Sequence, residues 1–478
     1  MTLSINKKMA LPQDLNTWKI LAFNAPFVGW MFVMGPMNIV QGIYAKYFGI
    51  PLTTLAGILL LCRLFDVFSD PLMGYFSDRY RARTGTRKPF VLVGGLLLIV
   101  CSYFLFVPPD NVSTVYITFW MFSFYAASTF FYIPTCAWAG EMSAYPEERT
   151  FIFSVHVFVG KIGFLLFYLV PFLPLFTSTE MTPETLKVSV IIAAILMLPG
   201  LYVALRYAPN GPHVRMDKVE KKKNALVSSK AFISALKRNK PFQIFVAAYM
   251  CVGLGVGMYA GLFFIFVDSY LGQGEDYAKL FSLSLVVSLI SIPLVYKVIA
   301  LIGKKWAWGL SLLLMILSIF YSGQLRPGED VFFSLLIIKI FFDVAAAIIP
   351  MTTQPLLNES IDYGLLSNKT ERRGLYYSIY SLLVKFEMAL GLALGLAIAG
   401  WLGFDATATT HSEASGFAIR LAMSWIPCVF MSLGFFFIWR LPIDERRAGI
   451  IARRLAGRVL RESAENNQDS KDQSMVPC

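Results

Sequence analysis

The stretch that decides the fold is Leu61–Gly74, LCRLFDVFSDPLMG, where an arginine and two aspartates interrupt an apolar run typical of a membrane-spanning helix. A charged side chain near the centre of a bilayer costs roughly 2.5 to 3.5 kcal/mol even on the permissive insertion scale. Arg63, Asp66 and Asp70 lie within eight residues of one another. Their presence at this depth indicates a functional role.

The composition around this stretch is that of an integral membrane protein. The chain has 478 residues, of which 56% are hydrophobic and 15% charged, and its mean hydropathy is +0.61. Crossing about 30 Å of hydrocarbon takes roughly 20 helical residues. Apolar stretches of that length predict an all-α membrane protein with twelve transmembrane helices in two six-helix bundles. The predicted spans are 18–45, 52–76, 89–107, 114–139, 152–174, 186–206, 242–270, 278–301, 305–322, 331–357, 373–402 and 416–440.

Basic residues concentrate in the loops that follow the even-numbered spans. The main groups are Arg79, Arg81, Arg83, Arg87 and Lys88 after span two, Arg215 to Lys240 in the centre, Lys304 and Lys305, Lys369 to Arg373, and Arg446 to Arg461 in the tail. By the positive-inside rule these loops and both termini are cytoplasmic. A basic cytoplasmic face also accounts for the net charge of +12 without a nucleic-acid partner.

The polar central stretch divides the chain into two halves. We predict an N-terminal six-helix bundle over 1–207, a cytoplasmic linker over 208–240, a C-terminal six-helix bundle over 241–441 and a cytoplasmic tail over 442–478. Paired six-helix bundles are typical of secondary transporters whose solute site lies near the membrane midplane between the halves.

Several other function classes find no support in the sequence. The six cysteines are scattered, so neither a disulfide framework nor a CxxC metal pattern is present, and His156, His213 and His411 are widely separated. No Walker A motif, hydrolase triad motif or dinucleotide fingerprint occurs. We therefore expect neither an enzyme nor an ATP-driven pump, and no cofactor.

The two aspartates of the opening stretch could handle a cation. Asp66 and Asp70 are four residues apart and share one face of a helix, and Arg63 lies one turn earlier on that face. Two carboxylates at this spacing can hold Na+ between them or share a proton. The structural alternative is an arginine–aspartate ion pair that only holds helices together.

The surrounding sequence resembles a known family. The run Arg63–Pro89, RLFDVFSDPLMGYFSDRYRARTGTRKP, is similar to the signature of the glycoside-pentoside-hexuronide:cation symporters, a melibiose permease-like branch of the major facilitator superfamily. A second match joins Asp362-Tyr363-Gly364, the segment 372–378 (RRGLYYS) and Lys385. A third, weaker match is Glu148-Arg149-Thr150.

The resemblance implies roles for individual residues. In the family the two helix-two aspartates ligate the coupling cation, which here implies Asp66 and Asp70. The polar neighbour Ser69 and the span-four hydroxyl of Thr129 would complete the site. Lys385 matches the family's helix-eleven lysine, so it and Arg63 are the expected charge partners of the two acids.

The sequence predicts the transported solute less precisely than the cation site. Trp30 and Tyr132 stand where melibiose permease has its galactoside-binding carboxylates, and His156 stands where it has an arginine. A pocket that lacks those acids but keeps His156, Lys161 and Lys385 favours a neutral or anionic solute. The predicted substrate-binding set is Trp30, Tyr132, His156, Lys161, Thr353, Gln354, Tyr380 and Ser381.

These observations predict a symporter that couples Na+ or H+ movement to uptake of a small polar solute, either a saccharide, a glycoside or a sugar acid. We expect a monomer in the bacterial inner membrane. The alternatives are a transporter of lysolipids or other organic anions, and a sensor that does not transport. Lys339 and Asp343, four residues apart, are expected to neutralise each other, and Glu387 to point away from Lys385 on its helix.

Overall fold

The structure is a computed structural model that describes residues 16–142, 146–210, 239–328, 331–368, 373–408, 410–443, 446–451 and 454. Within the helices some side chains lie outside this description, among them those of Ser381 and Lys385. The predicted linker and tail fall largely outside it as well, so their prediction stands as made.

Long helices account for almost all of the described chain. They are α1 (Thr17–Met37), α2 (Val40–Phe48), α3 (Leu52–Thr84), α4 (Lys88–Phe106), α5 (Thr114–Glu141), α6 (Pro146–Tyr168), α7 (Pro183–Tyr207), α8 (Lys240–Ile265), α9 (Gly274–Ile302), α10 (Lys304–Ser322), α11 (Phe332–Asn368), α12 (Arg373–Trp401), α13 (Glu413–Arg420) and α14 (Ile426–Arg440). Short π-helical turns, Phe266–Tyr270 and Leu421–Trp425, extend α8 and join α13 to α14. Because α1 with α2, and α13 with α14, each form one rod, the described residues contain the twelve predicted rods.

Ten of these rods, in the described part of the chain, are long and apolar enough to cross a membrane. The other two, α5 and α6, contain 28 and 23 residues, which exceeds the roughly 20 residues that a crossing needs. The all-helical fold predicted from hydropathy is thereby confirmed.

Local sequence sets where the rods begin and end. Asn16, Ser113 and Thr182 each accept a hydrogen bond from a backbone N–H in the first turn of the helix that follows. Gly49 and Gly85 end α2 and α3 with φ of +64° and +80°, a conformation that costs glycine little.

The helices pack into two groups that follow the chain. In the N-terminal half, α1 contacts α6 and α7, and α4 contacts α5 and α7; in the C-terminal half, α8 contacts α12 and α14, and α11 contacts α9 and α10. An extensive contact between the halves joins α3 to α12. The helix with the two aspartates therefore lies beside the helix that carries Lys385.

The basic end of the bundle, defined by residues 79–88 and Lys304, is held together in the N-terminal half by Arg87. Arg87 donates to Glu141 Oε1 at 2.8 Å and to Ser77 Oγ at 2.7 Å, and also bonds to Asp78. These bonds fasten the last turns of α3 to the end of α5. The helix α3 continues to Thr84, two turns beyond the end of the predicted span.

Candidate functional site

The two aspartates occupy the middle of α3. Asp66 is the fifteenth of its 33 residues and is 7% exposed, and Asp70 lies one turn further along and is half-buried. An α-helix brings residues four apart to the same face. The pair thus lies at a depth where lipid alone would not tolerate it.

Thr129 of α5 reaches the second aspartate. Its Oγ1 donates a hydrogen bond to Asp70 Oδ1 at 2.9 Å, although the two residues are 59 positions apart. Ser69 adds a second hydroxyl, whose buried Oγ has no hydrogen-bond partner among the residues that the structure describes. The geometry therefore gathers carboxylate and hydroxyl oxygens, the donors that hard cations prefer.

Arg63 contacts the first aspartate. Its Nη1 lies 3.2 Å from Asp66 Oδ2, its Nη2 donates to the Tyr125 hydroxyl at 3.3 Å, and its guanidinium lies 4.4 Å from the centre of the Tyr125 ring. The Tyr125 ring and hydroxyl thus contact the guanidinium in addition to Asp66. The side chain of Lys385, the other predicted charge partner, lies outside the described residues.

An aromatic ladder runs across the N-terminal half beside this cluster. The Trp30 ring stacks on Tyr132, with centroids 4.7 Å apart and planes at 7°, and on Phe27 at 4.9 Å. Phe27 in turn stacks on His156, with centroids 3.3 Å apart. Trp30 Nε1 also donates to Ser128 Oγ at 3.3 Å, one residue before Thr129.

His156 is fixed inside this ladder. It is 5% exposed, and its Nδ1 lies 2.7 Å from Asn24 Oδ1. Lys161, on the same helix, is half-buried, and this helix contacts α9 of the other half. The structure therefore places His156 within one half and Lys161 toward the interface of the two.

The predicted C-terminal residues separate into two kinds. Thr353 is 1% exposed and donates to Ile349 O of its own helix at 2.9 Å, so it is part of the helix packing. Gln354 is exposed, and its Nε2 donates to the Tyr380 hydroxyl at 3.0 Å. Ser381 has no described side chain.

The expected neutralising pair forms. Lys339 Nζ lies 2.5 Å from both carboxylate oxygens of Asp343 and 4.2 Å from the centre of the Phe281 ring. The prediction that these two charges satisfy each other is confirmed.

One charged cluster was missed from the sequence. Lys46, at the end of α2, donates to Glu180 Oε1 at 2.7 Å and approaches Asp268 Oδ2 to 2.9 Å. Glu180 belongs to the N-terminal half and Asp268 to the C-terminal half, so Lys46 joins them. We call these three residues the latch. Their sequence signal was only that of charged residues at the ends of predicted spans.

The latch lies at the end of the bundle opposite the basic loops and is reinforced there. Thr179 Oγ1 donates to Glu275 O at 2.7 Å, and Gln41 Nε2 donates to Gly261 O at 3.4 Å. Each bond crosses between the halves. The described residues thus close the two halves against each other at this end.

The comparison with protein-family models decides the family. The model of the MFS/sugar transport protein family matches residues 25–445, which include both halves. The chain belongs to this family. Together with the twelve rods, the match confirms the resemblance to the glycoside-pentoside-hexuronide:cation symporters.

Relatives of this MFS/sugar transport protein match over most of their length. It is 23% identical to the isoprimeverose transporter of Lactiplantibacillus pentosus, covering 86% of this chain and 85% of the relative. It is 24% identical to the glucuronide carrier protein homolog of Escherichia coli strain K12, covering 87% and 90%. It is also 22% identical to the sodium-dependent lysophosphatidylcholine symporter 1-A of Danio rerio, covering 82% and 79%.

Solved structures share the fold. The bacterial homolog of the human lysosomal transporter Spinster has a TM-score of 0.63 at 12% identity, covering 89% of this chain and 97% of that one. The nucleoside transporter NupG has a TM-score of 0.59 at 14% identity, covering 89% and 98%. These likenesses show the fold, and the family match over residues 25–445 shows that the chain is a multi-pass membrane transporter and not an enzyme.

Proposed function

We propose that this transporter couples the movement of Na+ or H+ to uptake of a saccharide, a glycoside or a sugar acid, with Asp66 and Asp70 as its cation site. The observation that carries the proposal is the 2.9 Å bond from Thr129 to Asp70, one turn from Asp66. It assembles oxygen donors from two helices at mid-membrane depth, where isolated charges are costly.

The neighbouring groups would tune this site. Ser69 offers a further oxygen, and Arg63 balances the charge of Asp66 when no metal ion is bound. Lys385, on the helix packed along α3, would act as a second counter-charge that yields when the cation arrives. Solute binding that favours the cation-bound state would then raise cation affinity by the same factor, as linkage requires.

The ladder of rings supports a cargo with flat apolar faces and polar edges. The outer face of Tyr132, the ring that ends the ladder, offers a surface on which a sugar ring can stack, and Gln354 and Tyr380 offer hydrogen-bonding groups from the other half. Lys161 adds a positive charge suited to a sugar acid. The names of two relatives, an isoprimeverose transporter and a glucuronide carrier homolog, fit this class.

We further propose that the basic end faces the cytoplasm of a bacterial cell, by the positive-inside rule. Both termini would then be cytoplasmic, and the division of the chain near 208–240 would separate the two moving bundles. With the latch closed at the opposite end, this conformation is the one closed toward the outside. The protein would work as a monomer.

A lysolipid cargo is the alternative that one relative's name favours. Such a cargo would need an apolar opening between the two halves. Two apolar grooves among the described residues, one of about 580 Å³ between α10 and α11 and another between α4 and α7, each lie within a single half. The uptake experiment below distinguishes the two cargo classes.

The test is uptake into proteoliposomes with Na+ and pH gradients imposed separately. The probes are isoprimeverose, a glucuronide and a lysophosphatidylcholine, and Asp276→Asn, which changes a carboxylate paired with Lys279 on α9, is the control. We expect one saccharide probe to accumulate against its gradient in the wild type and the control, but not in Asp66→Asn or Asp70→Asn. Accumulation in both site variants would refute the cation site, and uptake of the lysolipid alone would refute the cargo.

A further inference from the structure

Glu387 is a buried acid that the proposed transport site does not use. It is the central residue of α12 and is 7% exposed. On α8, Gly253 makes room for it, because a Cβ at that position would collide with the Glu387 carboxyl group. A carboxyl group at this depth in the membrane is energetically costly, so it is a candidate functional group.

The carboxyl group is poorly satisfied by hydrogen bonding. Oε2 is buried near Gly253 and has no hydrogen-bond partner among the described residues. The Tyr249 hydroxyl of α8 lies beside the carboxyl group.

The charged groups on the neighbouring helices are engaged elsewhere or lie on other faces. Arg63 of α3 bonds to Asp66, and Lys339 of α11 pairs with Asp343. Lys385 is two positions earlier on the same helix, which places it about 200° away around the helix axis. The remaining titratable groups on α3, α8 and α12 near this level are Cys62, Asp70, Cys251 and Tyr380.

Among the described residues, an ionised carboxylate in this buried position would have no bonded cation to replace its hydration, whereas a neutral acid loses little. We propose that Glu387 is a proton-binding site of the C-terminal half, separate from the Asp66 and Asp70 site, and that it holds a proton in the conformation closed at the latch. The site goes beyond the proposed cation coupling and does not depend on it.

A chain of hydroxyl groups connects this acid to an exposed amide. Gln354 Nε2 donates to the Tyr380 hydroxyl at 3.0 Å, and the Tyr380 hydroxyl donates to that of Tyr249 at 3.5 Å. On the proposed route Tyr249 donates in turn to the neighbouring Glu387 carboxylate, so the donors run in one direction, toward the carboxyl group. This direction suits delivery of a proton.

Protonation by this route conserves every atom. Tyr249 gives its hydroxyl proton to the ionised carboxylate and takes one from Tyr380. Tyr380 in turn takes one from a hydronium ion in contact with its hydroxyl oxygen, which leaves water, while Gln354 keeps its own protons and orients that hydroxyl. The net change is one new O–H bond at Glu387 and one fewer on the hydronium ion.

Infrared spectroscopy of the full chain in liposomes tests the proposal without a solute. At neutral pH we expect the wild type to show a protonated-carboxyl C=O stretch of which one component is lost in Glu387→Gln. In Tyr249→Phe that component should move to higher frequency, because a hydrogen bond to the carbonyl lowers the stretch. It should be unchanged in Asp66→Asn and in the control Asp276→Asn.

Each outcome of this infrared experiment either supports or overturns the proton site at Glu387. Loss in Glu387→Gln together with the shift in Tyr249→Phe supports the site, while an undiminished stretch in Glu387→Gln overturns it. Should Glu387→Gln fail to fold, the Tyr249→Phe shift decides alone, and an unmoved stretch overturns the proposal. Persistence of the component in Asp66→Asn, whatever that variant transports, keeps this result separate from the cation site.

Discussion

Asp66 and Asp70 lie on successive turns of one helix, whereas Glu180 and Asp268 come from different halves and meet at Lys46. In the first pair, Arg63 contacts one acid at 3.2 Å and the Thr129 hydroxyl contacts the other at 2.9 Å. In the latch, a single ammonium group contacts both acids, at 2.7 and 2.9 Å.

This difference distinguishes the proposed cation site from a contact between the halves. Asp66, Asp70 and Thr129 all belong to the N-terminal half, so under the proposal they would keep a cation while the halves move. The latch spans both halves, so it must open whenever that end opens. Under the proposal, acids with a basic neighbour thus serve coupling where one bundle supplies them and gating where two do.

The largest expected effect is the loss of coupling in Asp70→Asn. Because coupling free energies of 1 to 3 kcal/mol are typical, we expect gradient-driven accumulation to fall by about 5- to 150-fold. Uptake by proteoliposomes measures it. Asp268→Asn, which changes one of the two acids of the latch, should keep accumulation within about twofold of wild type. Equal losses in both variants would contradict the assignment of different roles to the two clusters.

The next largest effect concerns the hydroxyl at Thr129. Hydrogen bonds to charged groups contribute about 1.5 to 3 kcal/mol, so Thr129→Val should weaken cation affinity by roughly tenfold or more. Titration of uptake against cation concentration measures this. Thr129→Ser keeps the hydroxyl and should restore most of the affinity, and a serine variant as weak as the valine variant would contradict a ligand role.

Breaking the latch should have a smaller effect. Lys46 and Glu180 are partly exposed, with 26% and 29% of their side-chain surface accessible. The Asp268 side chain, by contrast, is fully buried (0%) and would lose its cation. Lys46→Met should therefore shift the balance toward opening at that end by at least about 1 kcal/mol, or roughly fivefold. The labelling rate of a single cysteine introduced as Gln41→Cys, in a background without other cysteines, reports the opening.

The control for this change is Lys46→Arg, which keeps a positive charge between the two acids. It should label nearly as slowly as the Lys46 parent. Faster labelling in the arginine variant than in the methionine variant would show that shape, and not charge, closes this end.

The smallest effect is the pH dependence of the latch. Burial alone would raise the pKa of Glu180, but the hydrogen bond and charge of Lys46 outweigh it and hold that pKa below its ordinary value of 4.5. Burial would lower the pKa of Lys46, but Asp268 and Glu180 outweigh it and raise that pKa above 10.5. The pair is thus fully charged at neutral pH.

A carboxyl group with a lowered pKa stabilises the fold above its ordinary pKa, and this contribution disappears as the pH falls through the lowered value. Between pH 7 and about 4, the Tm of the wild type should therefore decrease by a few °C more than that of Glu180→Gln. Thermal unfolding of the purified protein measures the difference. Glu184→Gln, an exposed acid in the first turn of α7, should follow the wild type.

Much of the fold was predictable because it depends on local properties. Apolar length predicted the rods, and the four-residue spacing predicted that Asp66 and Asp70 share a face. The first rod was predicted as one continuous helix, but the structure interrupts it between Met37 and Val40. Pro36, which lacks a backbone N–H, was the available signal for that interruption.

The candidate site was predictable in part. Thr129 was expected beside the acids through the family resemblance, and the structure brings it to Asp70. Thr353 was expected in the solute pocket, yet it bonds to its own helix, because a buried threonine can satisfy its hydroxyl at the preceding turn. The roles of Lys385 and Ser381 stay predictions.

The sequence by itself determined that this protein crosses the membrane as twelve helical rods and that two acids share one face of the second rod. Both follow from periodicity and apolar length, which act over a few residues. Only the tertiary structure decided which distant groups meet, as Lys46 and Asp268 do across 222 positions. Such contacts depend on how whole helices pack, and no local pattern encodes that arrangement.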